Sequence, residues 1–308
     1  MLSAERPLRF RSPDGLALTG LRLSGAAAAR SPELLFTAGN GFPVQCYRPA
    51  LAGLPADSMV HALNHRGHGE SECPARLENW DGLLADLRAY VEQCMQPPVI
   101  LAGHSMGAML ALRLAAEAPA LAAGLLLLEP PLPVQRGQAL PPAIKAGQRE
   151  FIERARNRRA GWASRAEAAT WLAESAGYAR WTPETRAAFG RHGLLDAPDG
   201  TVRLATPPWL EAVLYDTVPR LELYAWADRA PCAAVLLRGL DSGAMTPPIL
   251  EALADAMPVA AVLPVPGGHT FPMEHPRETG LRMAEGLRLL RGETGLATTR
   301  AAPAGRAR

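Results

Sequence analysis

The stretch "VILAGHSMGAML", residues 99 to 110, constrains this chain more tightly than any other. Val99 to Ala102 is a short apolar run, closed in front by Pro97-Pro98 and behind by Gly103, and such a run reads as a buried strand. Met106 to Ala118 is rich in Ala, Leu and Met and predicts a helix that stops before Pro119. Between the two, Gly103-His104-Ser105-Met106-Gly107 is a G-x-S-x-G in a strand–turn–helix setting. Glycines on either side allow a turn too tight for Cβ atoms, which pushes the Ser105 hydroxyl out over the sheet. The Met106 N–H, at the helix start, then points toward any negative charge that develops there.

A chain of 308 residues with 48% apolar content has room for one large α/β domain plus an insertion. A formal net charge of +2 offers no electrostatic case for nucleic acid or an anionic membrane as partner. Cys46, Cys73, Cys94 and Cys232 lie far apart with no C-x-x-C, so neither a metal site nor a disulfide framework is expected, and a reducing cytoplasm fits. The opening "MLSAERPLRFRSPDG" lacks the apolar core of a signal peptide. The longest apolar stretch, Leu121 to Leu128, is far short of the ~20 residues a membrane span requires. Residues 292–308 are small, polar and basic and predict a disordered tail.

Phe10-Arg11 and "LALTGLRL" (16–23) read as strands joined by the turn Ser12-Pro13-Asp14-Gly15; residues 24–32 read as a surface connection. "ELLFTA" (33–38), "MVHALN" (59–64) and Leu125–Leu128 are further strands, with a helical spacing of apolar residues between Leu77 and Glu92. Strands alternating with helices predict a mostly parallel sheet flanked by helices. The rhythm breaks after Pro133. Residues 134–225 read as a helical cap inserted between two parts of the core, 1–133 and 226–291, at the carboxyl ends of the strands. It resumes with "AAVLLRG" (233–239), a helix from Pro247 to Ala256, "AAVLPV" (260–265) and a last helix ending near Arg291.

A serine needs a base to take its proton. Of the seven histidines, His269 in "PVPGGHTFPMEHP" is best placed, directly after a predicted strand and ahead of the last helix, whereas His275 reads as structural. Two N–H groups are needed for the oxyanion. Met106 offers one, and Gly39-Asn40-Gly41 permits a sharp turn that would aim the Phe42 N–H into the same cleft.

These motifs together resemble the α/β-hydrolase superfamily, and within it the cap-bearing esterase, epoxide hydrolase and haloalkane dehalogenase-like branch. The resemblance spans roughly 8–130 and 230–290. "GNGFP" is similar to the H-G-x-P oxyanion loop, with Asn40 in place of histidine. "NHRGHGES" (64–71) is similar to the D-x-R-G-x-G-x-S turn, with Asn64 in place of aspartate. "GHSMG" resembles the nucleophile elbow and "GGHTFPMEHP" the histidine loop. The resemblance implies an α/β-hydrolase fold and, with serine as nucleophile, ester or thioester hydrolysis without metal or organic cofactor. Aspartate is the nucleophile in dehalogenases and epoxide hydrolases, so Ser105 argues against those chemistries. The acid is open. The family's usual place after the strand following the cap holds Ser242, with Asp241 one residue early, while Glu129 stands at the other position the family uses, the end of the strand before the cap. Glu129 is preferred; either could orient the imidazole.

Asn40, His104, Trp162 and Trp181 are candidate substrate-binding residues, and the aromatic cap fits an apolar acyl group. Arg149, Arg154, Arg156, Arg158 and Arg159 read as a solvated helix face, from which one arginine could hold a carboxylate or a coenzyme A phosphate. A serine esterase or thioesterase of small to medium apolar acyl substrates is expected. The same triad could instead serve carbon–carbon bond hydrolysis, perhydrolysis or a lyase step, or the scaffold could bind without catalysing. The sequence leaves open whether the chain acts alone or as a homodimer.

Overall fold

The computed structural model describes residues 2, 4–25, 32–131, 142–218 and 222–293. The expected surface connection around 26–31, the first residues of the insertion and the tail from 294 onward lie outside them. The chain begins with a hairpin of β1 (Ala4–Arg11) and β2 (Ala17–Ser24), whose turn is closed by the Ser12 hydroxyl accepting the Leu16 N–H at 2.7 Å. It continues through β3 (Leu34–Thr37), the short α1 (Arg48–Leu51), β4 (Met59–Leu63), α2 (Asp81–Cys94), β5 (Val99–His104), α3 (Met106–Glu117) and β6 (Ala122–Leu128). The insertion holds α4 (Pro142–Arg156), β7 (Gly161–Trp162), α5 (Arg165–Glu174), α6 (Pro183–His192), β8 (Leu194–Asp196), β9 (Val202–Leu204) and α7 (Pro208–Asp216). Then follow α8 (Leu223–Arg229), β10 (Ala234–Gly239), α9 (Pro247–Ala256), β11 (Val259–Val265), α10 (Phe271–Glu274) and α11 (Pro276–Leu290).

Eight strands form one sheet in the order β1-β2-β4-β3-β5-β6-β10-β11. Every pairing from β4 to β11 is parallel, and β2 runs antiparallel to both of its neighbours. This is the expected α/β-hydrolase arrangement. Strand alternation divides the core between two faces. Leu125 and Leu127 pack with α2, α3, α8 and α9, while Leu126 and Leu128 pack with α1 and α11. All four are 0% exposed, and each such leucine contributes roughly 1.5–3 kcal/mol by leaving water. A strand buried on both faces reads as a continuous apolar run, which is why the period-2 signal is missing there.

The insertion differs from the expected helical cap in two respects. Besides its helices it contains a three-stranded antiparallel sheet, β7-β9-β8. Strands β8 and β9 form a hairpin whose turn has Gly200 at φ 83° and the Asp199 carboxylate accepting the Thr201 N–H at 3.0 Å. Strands of two or three residues are too short to show alternation, and the Pro198-Asp199-Gly200 turn was the only sign of them. Second, the expected boundary at 225 cuts through α8, which packs on α3 and α9 and belongs to the core layer. The helices of the insertion are capped by their sequence. Ser164 and Thr182 accept N–H bonds from Glu167 and Thr185, each at 3.2 Å, at the starts of α5 and α6.

Candidate active site

Ser105 sits between β5 and α3 with φ 53° and ψ −115°. Its flanking glycines are there for close approach. A Cβ on Gly103 would lie 2.4 Å from the Gly107 carbonyl carbon, and one on Gly107 would lie 2.3 Å from the Thr37 carbonyl oxygen. Gly107→Ala is therefore expected to cost at least the ~1–3 kcal/mol of an overpacked core, because the opposing atoms are backbone and cannot rotate away. Chemical denaturation of the variant measures it.

The parallel strands deliver the remaining groups to the same edge. The Ser105 hydroxyl lies 3.0 Å from His269 Nε2, in the loop after β11. His269 Nδ1 faces Glu129 Oε2 at 3.3 Å, immediately after β6. The Glu129 carboxylate is fully buried and accepts two further bonds, from the Gly239 N–H at 2.7 Å and from the Ser242 hydroxyl at 2.6 Å. Glu129 also has a positive φ, 48°; it and Ser105 are the non-glycine residues with positive φ among the described residues. Asp241 is placed differently. Its side chain is 59% exposed and pairs with Arg180 at 2.8 Å, while its N–H bonds to the Gly267 carbonyl. The geometry thus sets Glu129, and not Asp241, against the imidazole.

As the first residue of α3, Met106 has a backbone N–H that its own helix cannot use. Phe42 is less free than expected. Its N–H closes a turn on the Gly39 carbonyl at 3.3 Å, with Gly41 at φ 84°. That bond lies beyond the usual range and is weak. The "NHRGHGES" segment cradles this loop. Asn64 Oδ1 accepts the Val44 N–H at 2.7 Å, His68 Nε2 accepts the Gly41 N–H at 3.0 Å, and His65 Nε2 contacts Thr37 Oγ1 at 2.6 Å. Arg66 meets Asp86 at 2.7 Å beneath it.

Burial pushes His68 down to about 4 and His65, which also faces His68, to about 3, from an ordinary 6.5. Because the folded values are depressed, the unfolded chain binds more protons between about pH 6.5 and pH 4. Stability present at neutral pH is then lost as pH falls through that window. Urea midpoints should drop steeply there, and His68→Gln should shallow the slope by about one proton, ~1.4 kcal/mol per pH unit. An unchanged slope would count against the buried neutral ring.

A cavity of about 280 Å³ opens beside Ser105 and His269, with Trp80, Met109, Phe151, Leu214 and Tyr215 among its walls. Asn40 borders it, and its amide donates to the Glu211 carbonyl at 2.9 Å. The other expected substrate contacts do not line it. His104 is 0% exposed behind the serine. Trp162 and Trp181 are each 3% exposed inside the insertion's own core, Trp162 against Trp171, and Trp181 against Tyr178 and Phe42. An aromatic residue in a cap serves either its core or its lining, and both environments select the same side chains. Trp80 precedes α2, Phe151 lies in α4 and Tyr215 in α7, so no local pattern marks them as neighbours. Tyr47 carried no signal either, and Ser242, which the sequence set at the family's usual acid position, turns out to be a donor to the acid itself.

The arginine cluster is not uniformly solvated. Arg158 is largely buried, ion-pairs with Glu211 and donates to the Tyr178 hydroxyl at 2.6 Å. Burial raises the Glu211 pKa against the pull of Arg158. Arg159 pairs with Glu167, and Arg154 lies 5.0 Å over the Phe151 ring. Among the described residues no helix is long and apolar enough to cross a membrane, and no group of three His, Cys, Asp or Glu could hold a metal ion.

A profile of the family described as Alpha/beta hydrolase family matches residues 34–279. Epoxide hydrolase 4 of Mus musculus is 32% identical over 119 residues, 37% of this chain and 33% of that protein. The chain thus matches about a third of the length of its curated relatives. Among solved structures, E-2-(acetamidomethylene)succinate hydrolase superposes with a TM-score of 0.74 at 17% identity, covering 92% of this chain and 99% of that one. A thioesterase domain from the curacin biosynthetic pathway superposes with a TM-score of 0.71 at 20% identity, covering 91% and 99%. At such identities the likeness is one of fold.

Proposed function

The chain belongs to the alpha/beta hydrolase family, and we propose that it is a serine hydrolase cleaving carboxylic esters or thioesters of small to medium apolar acyl groups. One observation carries the reading: a serine at the elbow with His269 Nε2 at 3.0 Å, whose Nδ1 meets the buried Glu129. His269 takes the proton as Ser105 attacks the carbonyl carbon. The Met106 N–H, and the Phe42 N–H once released from its turn, stabilise the tetrahedral oxyanion. His269 then protonates the leaving group, an acyl-enzyme forms, and water activated by the same imidazole releases the acid. Glu129 holds the Nδ1–H tautomer and stabilises the imidazolium. Neither metal nor organic cofactor takes part.

Epoxide hydrolase 4 is a relative by name, yet opening an epoxide through the family's covalent route calls for an aspartate where this chain has Ser105. The cavity's walls are mainly apolar, and its size, about 280 Å³, is near the lower end of ligand pockets. A panel of p-nitrophenyl esters from acetate to palmitate, run beside a styrene oxide assay and fluorophosphonate labelling, tests the reading. Ester turnover with an optimum among the shorter chains, and labelling of Ser105, are expected. Labelling without ester turnover would move the site to another bond, such as carbon–carbon hydrolysis or perhydrolysis. Neither turnover nor labelling would leave a binding protein.

A further inference from the structure

His104, between Gly103 and the nucleophile, takes no part in the reaction above, yet it is one of the most deeply buried polar groups around it. Its Nε2 lies 2.8 Å from the backbone carbonyl of His269. A carbonyl only accepts, so Nε2 carries the proton and, in a neutral ring, Nδ1 is an acceptor. Burial, with the neighbouring His269, pushes the His104 pKa well below its ordinary value and keeps the ring neutral. The acceptor is used: the Tyr47 hydroxyl is 2.8 Å from Nδ1. Tyr47 in turn accepts the Gly39 N–H at 3.0 Å, which leaves its own proton for His104. Every bond in this chain therefore has one direction, from Gly39 N–H to Tyr47 to His104 to the His269 carbonyl.

The two ends of the chain are the oxyanion loop and the base. Among the described residues no other hydrogen bond reaches the Gly39 N–H or the His269 carbonyl. The histidine loop is tied by Glu274, which accepts from the Gly268 N–H at 3.2 Å and from the Thr270 hydroxyl at 2.8 Å, on either side of His269. The space is also filled to its limit. A Cβ on Gly39 would stand 3.1 Å from His104 Nδ1, 3.3 Å from the Tyr47 hydroxyl and 3.4 Å from Ser105 Cβ.

We propose that Tyr47 and His104 are positioning residues for the serine hydrolysis, a buried strut that sets the spacing between the oxyanion loop and the His269 backbone across Ser105. The inference rests on the proposed function. Tyr47 and His104 touch no substrate; they fix where the base and the oxyanion donors stand when the transition state forms. Small misplacements of reacting groups are costly, about a hundredfold for an ångström. Their loss should fall on kcat, since Trp80, Met109, Phe151 and Leu214, apolar residues of the cavity wall, are no part of the strut.

The test measures kcat and KM per active serine, counted by fluorophosphonate titration, for Tyr47→Phe, His104→Gln and His104→Leu. Tyr47→Phe leaves Gly39 and His104 Nδ1 without a partner and should lower kcat about tenfold, the rate equivalent of one such bond, with KM unchanged. His104→Leu removes both bonds of the ring, to the Tyr47 hydroxyl and to the His269 carbonyl, and should cost about a hundredfold. His104→Gln, whose amide donates and accepts, should recover most of that loss. If the variants only lower the melting temperature and the titratable serine, with kcat per active serine unchanged, the strut is structural and the inference is overturned. If His104→Leu does not fold, Tyr47→Phe and His104→Gln decide alone. A wild-type protein that fluorophosphonate does not label removes the serine-hydrolase reading itself, a failure visible before any variant is made.

Discussion

Ser105→Gly is expected to lose turnover by a factor on the order of a million, the cost of removing the nucleophile from such a triad, and at the same time to raise folding stability. The first half follows from chemistry, because only residual rate from the oxyanion donors and binding survives. The second follows from the backbone. Ser105 is held at φ 53° and ψ −115°, a region that strains any residue carrying a Cβ by roughly 1–3 kcal/mol. Its side chain makes no capping bond to α3, and the bond it does make, to His269, is lost alike in the glycine and alanine variants, so the comparison between those two isolates the strain. Glycine relieves the strain and gives back roughly 0.5–1 kcal/mol through the freedom of the unfolded chain. A net gain on the order of 1 kcal/mol is left. Ser105→Ala, equally inactive, keeps the Cβ and should show no such gain. Urea denaturation of the three proteins separates the two effects. A glycine variant no more stable than the alanine variant would mean the elbow is not under strain.

That the strain falls on two site residues bears on what the sequence could tell. The elbow was legible because its motif is contiguous: Gly103 is required by the start of the adjoining helix, Gly107 by the Thr37 and Ala38 carbonyls at the end of β3, yet both stand within two residues of Ser105 and between apolar runs that announce the strand and the helix. The order of strands was legible for the same reason, since a buried parallel strand such as Leu125–Leu128 can be little else. The cavity was not. Its lining joins Trp80, Phe151 and Tyr215 from three distant segments, while the tryptophans that the cap's composition suggested, Trp162 and Trp181, fill its own interior. Composition reports that a cap has an apolar core and an apolar lining; it does not report which aromatic serves which. His104 shows the converse. Its position in the motif suggested a substrate contact, whereas the tight turn swings it under the serine, where a carbonyl, a tyrosine and complete burial fix its tautomer. Such relations across the chain have no spacing to betray them.

The acid is the sharpest case, and it carries the second large effect: Glu129→Gln should lower kcat by a factor of about a thousand to ten thousand, and Asp241→Asn by no more than about threefold. Both carboxylates follow strands that end beside His269, so the spacing in the sequence left them nearly even. The structure separates them by partners. Glu129 lies buried, with the Gly239 N–H, the Ser242 hydroxyl and His269 Nδ1 all directed at it. Asp241 is an exposed partner of Arg180, which also reaches Glu274 at 2.9 Å, so its loss loosens a tie between the insertion and the loop after β10, leaves the one to Glu274, and does not touch the imidazole. A glutamine at 129 keeps the shape but presents a neutral amide to a ring that must become a cation in the transition state. Ser242 supplies the rescue. Its hydroxyl already lies 2.6 Å from the Glu129 oxygen that faces His269, so a carboxylate at 242 would stand one atom's reach from the same nitrogen. Ser242→Asp in the Glu129→Gln background should therefore restore part of the lost rate. Recovery would show that the imidazole needs a buried negative charge at this place and not glutamate itself. A full loss in Asp241→Asn, with Glu129→Gln active, would reverse the assignment.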